Sequence, residues 1–152
     1  MTSDLARATY QQVEVNSSNG LQLVVMLYDG AIRFLGDAKS SIQKQDLHGK
    51  AVATDRALAI ISELQATLKV EEGGDLAKSL DRLYTYLTER IIEASLKLNT
   101  KPLDESIKLL RILNFAWTEI AARAEVAQPA TASVPVSANR YAAEKQPLEI
   151  FG

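Results

Sequence analysis

A single histidine, His48, is the one side chain in this 152-residue sequence whose ordinary pKa lies near neutrality, and cysteine is absent. His48 falls in the stretch Asp46-Leu47-His48-Gly49, which reads as a turn ahead of a helix. A di-iron bundle needs Glu-x-x-His motifs on two helices, and one loop histidine cannot supply them. A phosphotransfer bundle needs its histidine exposed in mid-helix, so His48 is read as a solvated turn residue. Glu89 and Glu93, four positions apart, would sit on one helical face and could share a proton. Arg82 and Arg90 lie beside them, so the group reads as a solvated charged face. No phosphate-cradling Gly-x-x-x-x-Gly-Lys-Ser/Thr motif appears, and Gly73-Gly74 reads as a helix break. No catalytic residue, cofactor or metal site is expected, and the protein is not read as an enzyme.

The bulk properties exclude several function classes. Hydrophobic residues at 47% and charged residues at 24% are ordinary for a soluble globular chain. A net charge of −2 lacks the basic excess that nucleic acid demands. The longest apolar run, Leu23 to Tyr28, is far short of the ~20 residues of a membrane span. Met1 to Tyr10 carries Asp4 and Arg7 without an apolar stretch, unlike a secretory signal. With no thiols, the chain suits a reducing compartment. A soluble cytoplasmic protein without membrane insertion is expected.

The elements that must position any surface are helices. Apolar residues Leu21, Val24, Tyr28, Ala31, Leu35, Ala38 and Ile42 recur at three- and four-residue spacing, predicting a helix over about 19–46. A second, over about 50–70, carries Ala57, Leu58, Ile61, Leu64 and Leu68 on one face. The third, about 75–99, presents Leu76, Leu80, Leu83, Tyr84, Leu87, Ile91, Ala94 and Leu98. The fourth, about 102–127, opens with Pro102, Asp104 and Glu105 in its first turn. It presents Leu103, Ile107, Leu110, Leu113, Trp117, Ile120 and Ala124. Short connections force sequential helices antiparallel, so the expected fold is all-α, an up-down four-helix bundle over residues 1–127 with a short N-terminal segment. Tyr28, Leu35, Ile61, Leu87, Leu110 and Trp117 are its expected core. Residues 128–152 hold Pro129, Pro135 and Pro147 among small residues and read as an irregular tail, although Leu148-Glu149-Ile150-Phe151 is apolar enough to dock.

The apolar residues exceed what one core needs. On the first helix, Leu23, Leu27 and Phe34 widen the stripe on one side, and Val25 and Ile32 on the other. Ile92 and Leu96, and Ile112 with Phe115, lie roughly opposite the core stripes of their helices. With a turn near Pro102, Ile92 and Ile112 would share one height and form a single external patch bordered by Tyr86. Such a cluster marks an interface for a client, a second copy in a homodimer, or the chain's own ends.

Two stretches then carry a resemblance. Leu23-Val24-Val25-Met26-Leu27-Tyr28-Asp29-Gly30-Ala31-Ile32-Arg33-Phe34-Leu35, with Tyr10-Gln11 ahead of it, resembles the signature of the flagellar secretion chaperone family FliS. Gly73-Gly74-Asp75-Leu76-Ala77 and Leu80-Asp81-Arg82-Leu83-Tyr84-Thr85-Tyr86 resemble its second motif, and Trp117 falls at a family tryptophan. The resemblance covers about residues 5–123. Ser17-Ser18-Asn19-Gly20 departs from it where many members have a Thr/Ser-Pro turn. It implies a cytosolic, non-enzymatic bundle that holds flagellin's disordered C-terminal segment, prevents premature polymerisation and assists delivery to the cytoplasmic domain of the flagellar type III export gate. It also places Tyr10 and Leu5 near the client surface. The client-binding set expected is therefore Tyr10, Leu23, Leu27, Phe34, Tyr86, Ile92, Leu96, Ile112 and Phe115. A signalling adaptor or dimerisation bundle without a flagellin client would show the same periodicity, and a phosphotransfer enzyme would require His48 to accept phosphate.

Overall fold

The computed structural model describes residues 18–68 and 73–127. These form four helices: α1 (Ser18–Gln43), α2 (Leu47–Ala66), α3 (Gly74–Lys97) and α4 (Lys101–Ala127). Each packs on two neighbours in the ring α1–α2–α3–α4, α1 the most extensively and α3 the least, on both of its sides. The bundle is an antiparallel four-helix bundle, and its polar rungs show the relative direction of the helices. Descending α1 from Lys39 through Asp29 to Gln22, the partners on α4 are Asp104, Asn114 and Glu125 in turn. Between α2 and α3, Lys50 Nζ donates to Ser95 O at 3.0 Å, and Gln65 Nε2 donates to Asp81 Oδ1 and Thr85 Oγ1.

The turns explain where the helices stop. Gln45 adopts φ +62, and Asp46 accepts the Gly49 N–H on its Oδ1 at 2.9 Å, an N-cap that starts α2 at Leu47. The expected turn at His48 is thus corrected: His48 lies exposed in the first turn of α2, and α1 ends at Gln43 rather than near Asp46. A methyl group at Gly49 would meet Asp46 Oδ2 at 2.4 Å, so glycine is needed for the cap to close. Gly74 opens α3 at φ +66, a conformation that strains other residues. At the other end of α3, Leu98 takes a left-handed C-cap and the Lys101 N–H donates to Asn99 Oδ1 at 3.1 Å. Leu98 therefore leaves the core face expected of it and is 49% exposed.

The core is mostly apolar, with a polar contact at its centre. Leu35, Ile61, Leu87 and Leu110 are fully buried. Tyr28 on α1 and Tyr84 on α3 share a hydroxyl–hydroxyl hydrogen bond of 2.6 Å across the bundle, and the Tyr28 ring tilts against Trp117 at 6.3 Å between centroids. Loss of solvation raises the Tyr28 phenol above its ordinary value, so it stays neutral and able to donate. At Gly30 a methyl group would lie 3.1 Å from Ile60 Cδ1, which shows how closely α1 and α2 approach.

Candidate functional site

The residues singled out on α1 are packing residues first. Leu23, Leu27, Gly30 and Phe34 recur at i, i+4, i+7 and i+11, and Gly30 abuts Ile60, so this stripe faces α2. All three apolar members are half-buried against the core. Phe34 is flanked by the Arg33 and Arg56 guanidiniums at 5.1 and 5.7 Å from its ring centroid. Val25 and Ile32 share a stripe with Asp29, which accepts from Asn114 Nδ2 at 2.6 Å, so they pack toward α4. Tyr10 and Leu5 lie outside the described residues.

On α3 and α4, Tyr86, Ile92, Leu96, Ile112 and Phe115 are all exposed, Leu96 and Phe115 the most at 78% and 69%. They do not make one patch. The stripe Asp81, Thr85, Ile92, Leu96 follows i, i+4, i+11, i+15, and its first two members bond Gln65 of α2. Ile92 and Leu96 therefore lie on the α2 edge of α3. The opposite edge carries Leu76, Leu83 and Arg90 at heptad spacing, and Arg90 Nε donates to Glu105 of α4 at 2.7 Å. The expected common height also fails. The turn is centred near Asn99, so Ile92 lies five positions before Lys97 and Ile112 eleven after Lys101. At 1.5 Å per residue they are offset by ~9 Å.

The α4-facing edge of α3 has two halves. Near the α3–α4 turn it is polar and tied. Tyr86 Oη donates to Glu105 Oε2 at 2.8 Å, and Arg90 also reaches Glu93 at 2.9 Å. The Arg90 guanidinium, then the Tyr86 hydroxyl, hold the Glu105 carboxyl below its usual range, and Glu105 in return raises the Tyr86 phenol and the Arg90 guanidinium. Further from the turn, the edge is apolar and open. Leu76 is 53% exposed and Ile120 41%, although both occupy expected core stripes. Counted from the helix ends, Leu76 is twenty-one positions before Lys97 and Ile120 nineteen after Lys101, which sets them level within ~3 Å. On α4 the stripe that starts at Glu105 continues through Leu109, Ile112 and Ala116 toward Ile120.

The result is an apolar groove between the N-terminal half of α3 and the C-terminal half of α4. Leu80 and Leu113 lie beneath it, Leu83 on its α3 side, and Leu76, Ile112, Ala116 and Ile120 along its rim. Sequence reading missed Leu76 and Ile120 because helical periodicity reports the face of a residue but not how completely a neighbouring helix covers it. The usable signal was Arg90, a charged residue two heptads on in the stripe of Leu76. Such a groove accepts the apolar face of an amphipathic helix. Among the described residues, no group of His, Asp or Glu side chains could hold a metal ion, and no helix is long and apolar enough to cross a membrane.

Comparison of the sequence with known proteins places the chain in a family. The family model described as flagellar protein FliS matches residues 2–124. The chain is 33% identical over 120 residues to flagellar secretion chaperone FliSB of Pseudomonas aeruginosa, covering 76% of this chain and 95% of that protein. It is 35% identical over 115 residues to flagellar secretion chaperone FliS of Vibrio cholerae, covering 73% and 85%. With the FliS of Campylobacter jejuni it shares 34% identity over 128 residues, covering 84% and 100%. The chain therefore belongs to the FliS family of flagellar secretion chaperones.

Proposed function

We propose that this protein is a cytoplasmic, non-catalytic chaperone that holds the disordered C-terminal segment of flagellin and delivers it to the cytoplasmic domain of the flagellar export gate. The observation that carries the reading is the open apolar groove between α3 and α4 in a member of this family. A client segment that folds as an amphipathic helix buries its apolar residues on Leu76, Ile112 and Ile120 and leaves its polar face in water. Covering those residues keeps the client from pairing with other flagellin copies. Coupled folding on binding gives up several kcal/mol to ordering, so a large interface remains releasable without a nucleotide. The half-buried Leu23, Leu27 and Phe34 and the α2-edge residues Ile92 and Leu96 extend the apolar surface that a wrapping segment meets. Tyr10 stands with this set through the family resemblance.

Calorimetry with full-length flagellin and with flagellin lacking its C-terminal segment tests the reading. Saturable one-to-one heat for the first and none for the second is expected. Equal heats for the two would overturn it.

A further inference from the structure

The groove lies toward the end of the bundle where α4 stops. Ile120 is seven residues from Ala127, or ~10 Å along the helix axis. Another 25 residues follow Ala127, and the family match stops at residue 124, so this added chain is not part of what the family fold requires. Its composition is divided. Twenty residues, Gln128 to Pro147, are mostly small or polar and include three prolines, and then come Leu148, Glu149, Ile150 and Phe151.

We propose that Leu148, Ile150 and Phe151 fold back into the α3–α4 groove of the same molecule, covering Leu76, Ile112 and Ile120 when no client is bound. Reach allows it: a stretch of twenty residues can span at most ~66–72 Å. That exceeds the ~10 Å from Ala127 to Ile120 and the ~22 Å to Ile112. Charge favours it. Arg123 lies seven positions beyond Ala116, on the α3-facing stripe of α4, is exposed, and makes no ion pair among the described residues. It stands at the groove end to receive Glu149, the one charge inside the apolar quartet. Tethering sets the order of events, because a linked segment acts at an effective concentration on the order of mM, above that of any second copy in dilute solution. The groove is thereby held as a filled site that a client must empty. That competition rests on the flagellin reading above, whereas the docking itself does not.

The test uses the full chain with methyl-labelled Leu and Ile, and the full-length variant Ile150→Asp/Phe151→Ser. Methyl resonances of Leu76, Ile112 and Ile120 should move in the variant, at all protein concentrations, while those of Leu96 and Ile92 stay in place. Affinity for the flagellin C-terminal segment should tighten by about two- to tenfold, as for a groove filled half to nine-tenths of the time. Superimposable spectra, or shifts confined to the α2 edge, would overturn the proposal. So would shifts that fade on dilution with a falling light-scattering mass, which would mark a second copy as the occupant. Groove shifts with client affinity unchanged would leave the docking standing and remove the groove from the flagellin site.

Discussion

Replacing Leu76 and Ile120 with glutamine tests the groove against every other apolar surface of the bundle. Glutamine keeps strong helix propensity, so the backbone of α3 and α4 is not the variable. Fully burying a leucine or isoleucine side chain contributes ~1.5–3 kcal/mol. Leu76 is 53% exposed and Ile120 41%, so about half of that, ~0.7–1.5 kcal/mol per residue, is still available to a client. Together the two positions supply ~1.5–3 kcal/mol, which is a loss of about ten- to a hundredfold in affinity. The half already buried contributes to folding, so the unfolding midpoint should drop modestly in the same variant. The control is Ile92→Gln/Leu96→Gln, on the α2 edge of α3 and, at 41% and 78%, at least as exposed. Titration calorimetry with the flagellin C-terminal segment, beside thermal unfolding of both variants, reads the difference. A weaker effect for the control is expected. Wild-type affinity in the groove variant, or equal losses in the two, would refute the assignment of the groove as the main client surface.

Other consequences are independent of the client. Trp117 is 5% exposed against Tyr28, so Trp117→Ala should cost ~3–5 kcal/mol of stability, read in a denaturant midpoint, and weaken client binding only through lost folding. Asp46→Ala should cost ~0.5–2 kcal/mol through loss of the α2 N-cap. Gly49→Ala acts on the same contact, so the double variant should cost less than the two single losses together. Glu105 has a carboxyl held below its usual range, so the α3–α4 clasp stabilises above the ordinary value of ~4.3 and fades as pH falls through the depressed one. Glu105→Gln should therefore flatten the acid limb of the stability–pH curve below that value, while changing little of its slope near neutrality.

The divide between what was legible in the sequence and what was not runs along the difference between face and distance. Leu21, Val24, Tyr28, Ala31, Leu35 and Ala38 recur at helical spacing and form one buried stripe, because the angle of a side chain about its own helix is set by position alone. Four such stripes with short connections leave few packings, so the bundle could be read directly. The turn at Asp46 was misplaced by a few residues because an aspartate that caps a helix and one that sits in a loop look alike until the Gly49 N–H is seen on its side chain.

Surface is a different quantity, since it depends on which neighbour each edge meets and how closely. Ile92 and Leu96 were correctly placed off the core stripe, yet nothing in their own helix says whether the adjoining edge belongs to α2 or α4. That information sits in Gln65, Asp81 and Thr85, and in Arg90 and Glu105, as pairs formed only in the folded chain. Leu76 and Ile120 show the converse. Their periodicity assigns them to the core, yet they are exposed, on the stretch of the α3–α4 seam that lies beyond the Glu105 clasp. A polar clasp at one end and apolar rims at the other give this side of the bundle two distinct surfaces. The same side chains that periodicity counts as surplus core are, on that account, the ones with free apolar surface to offer a partner.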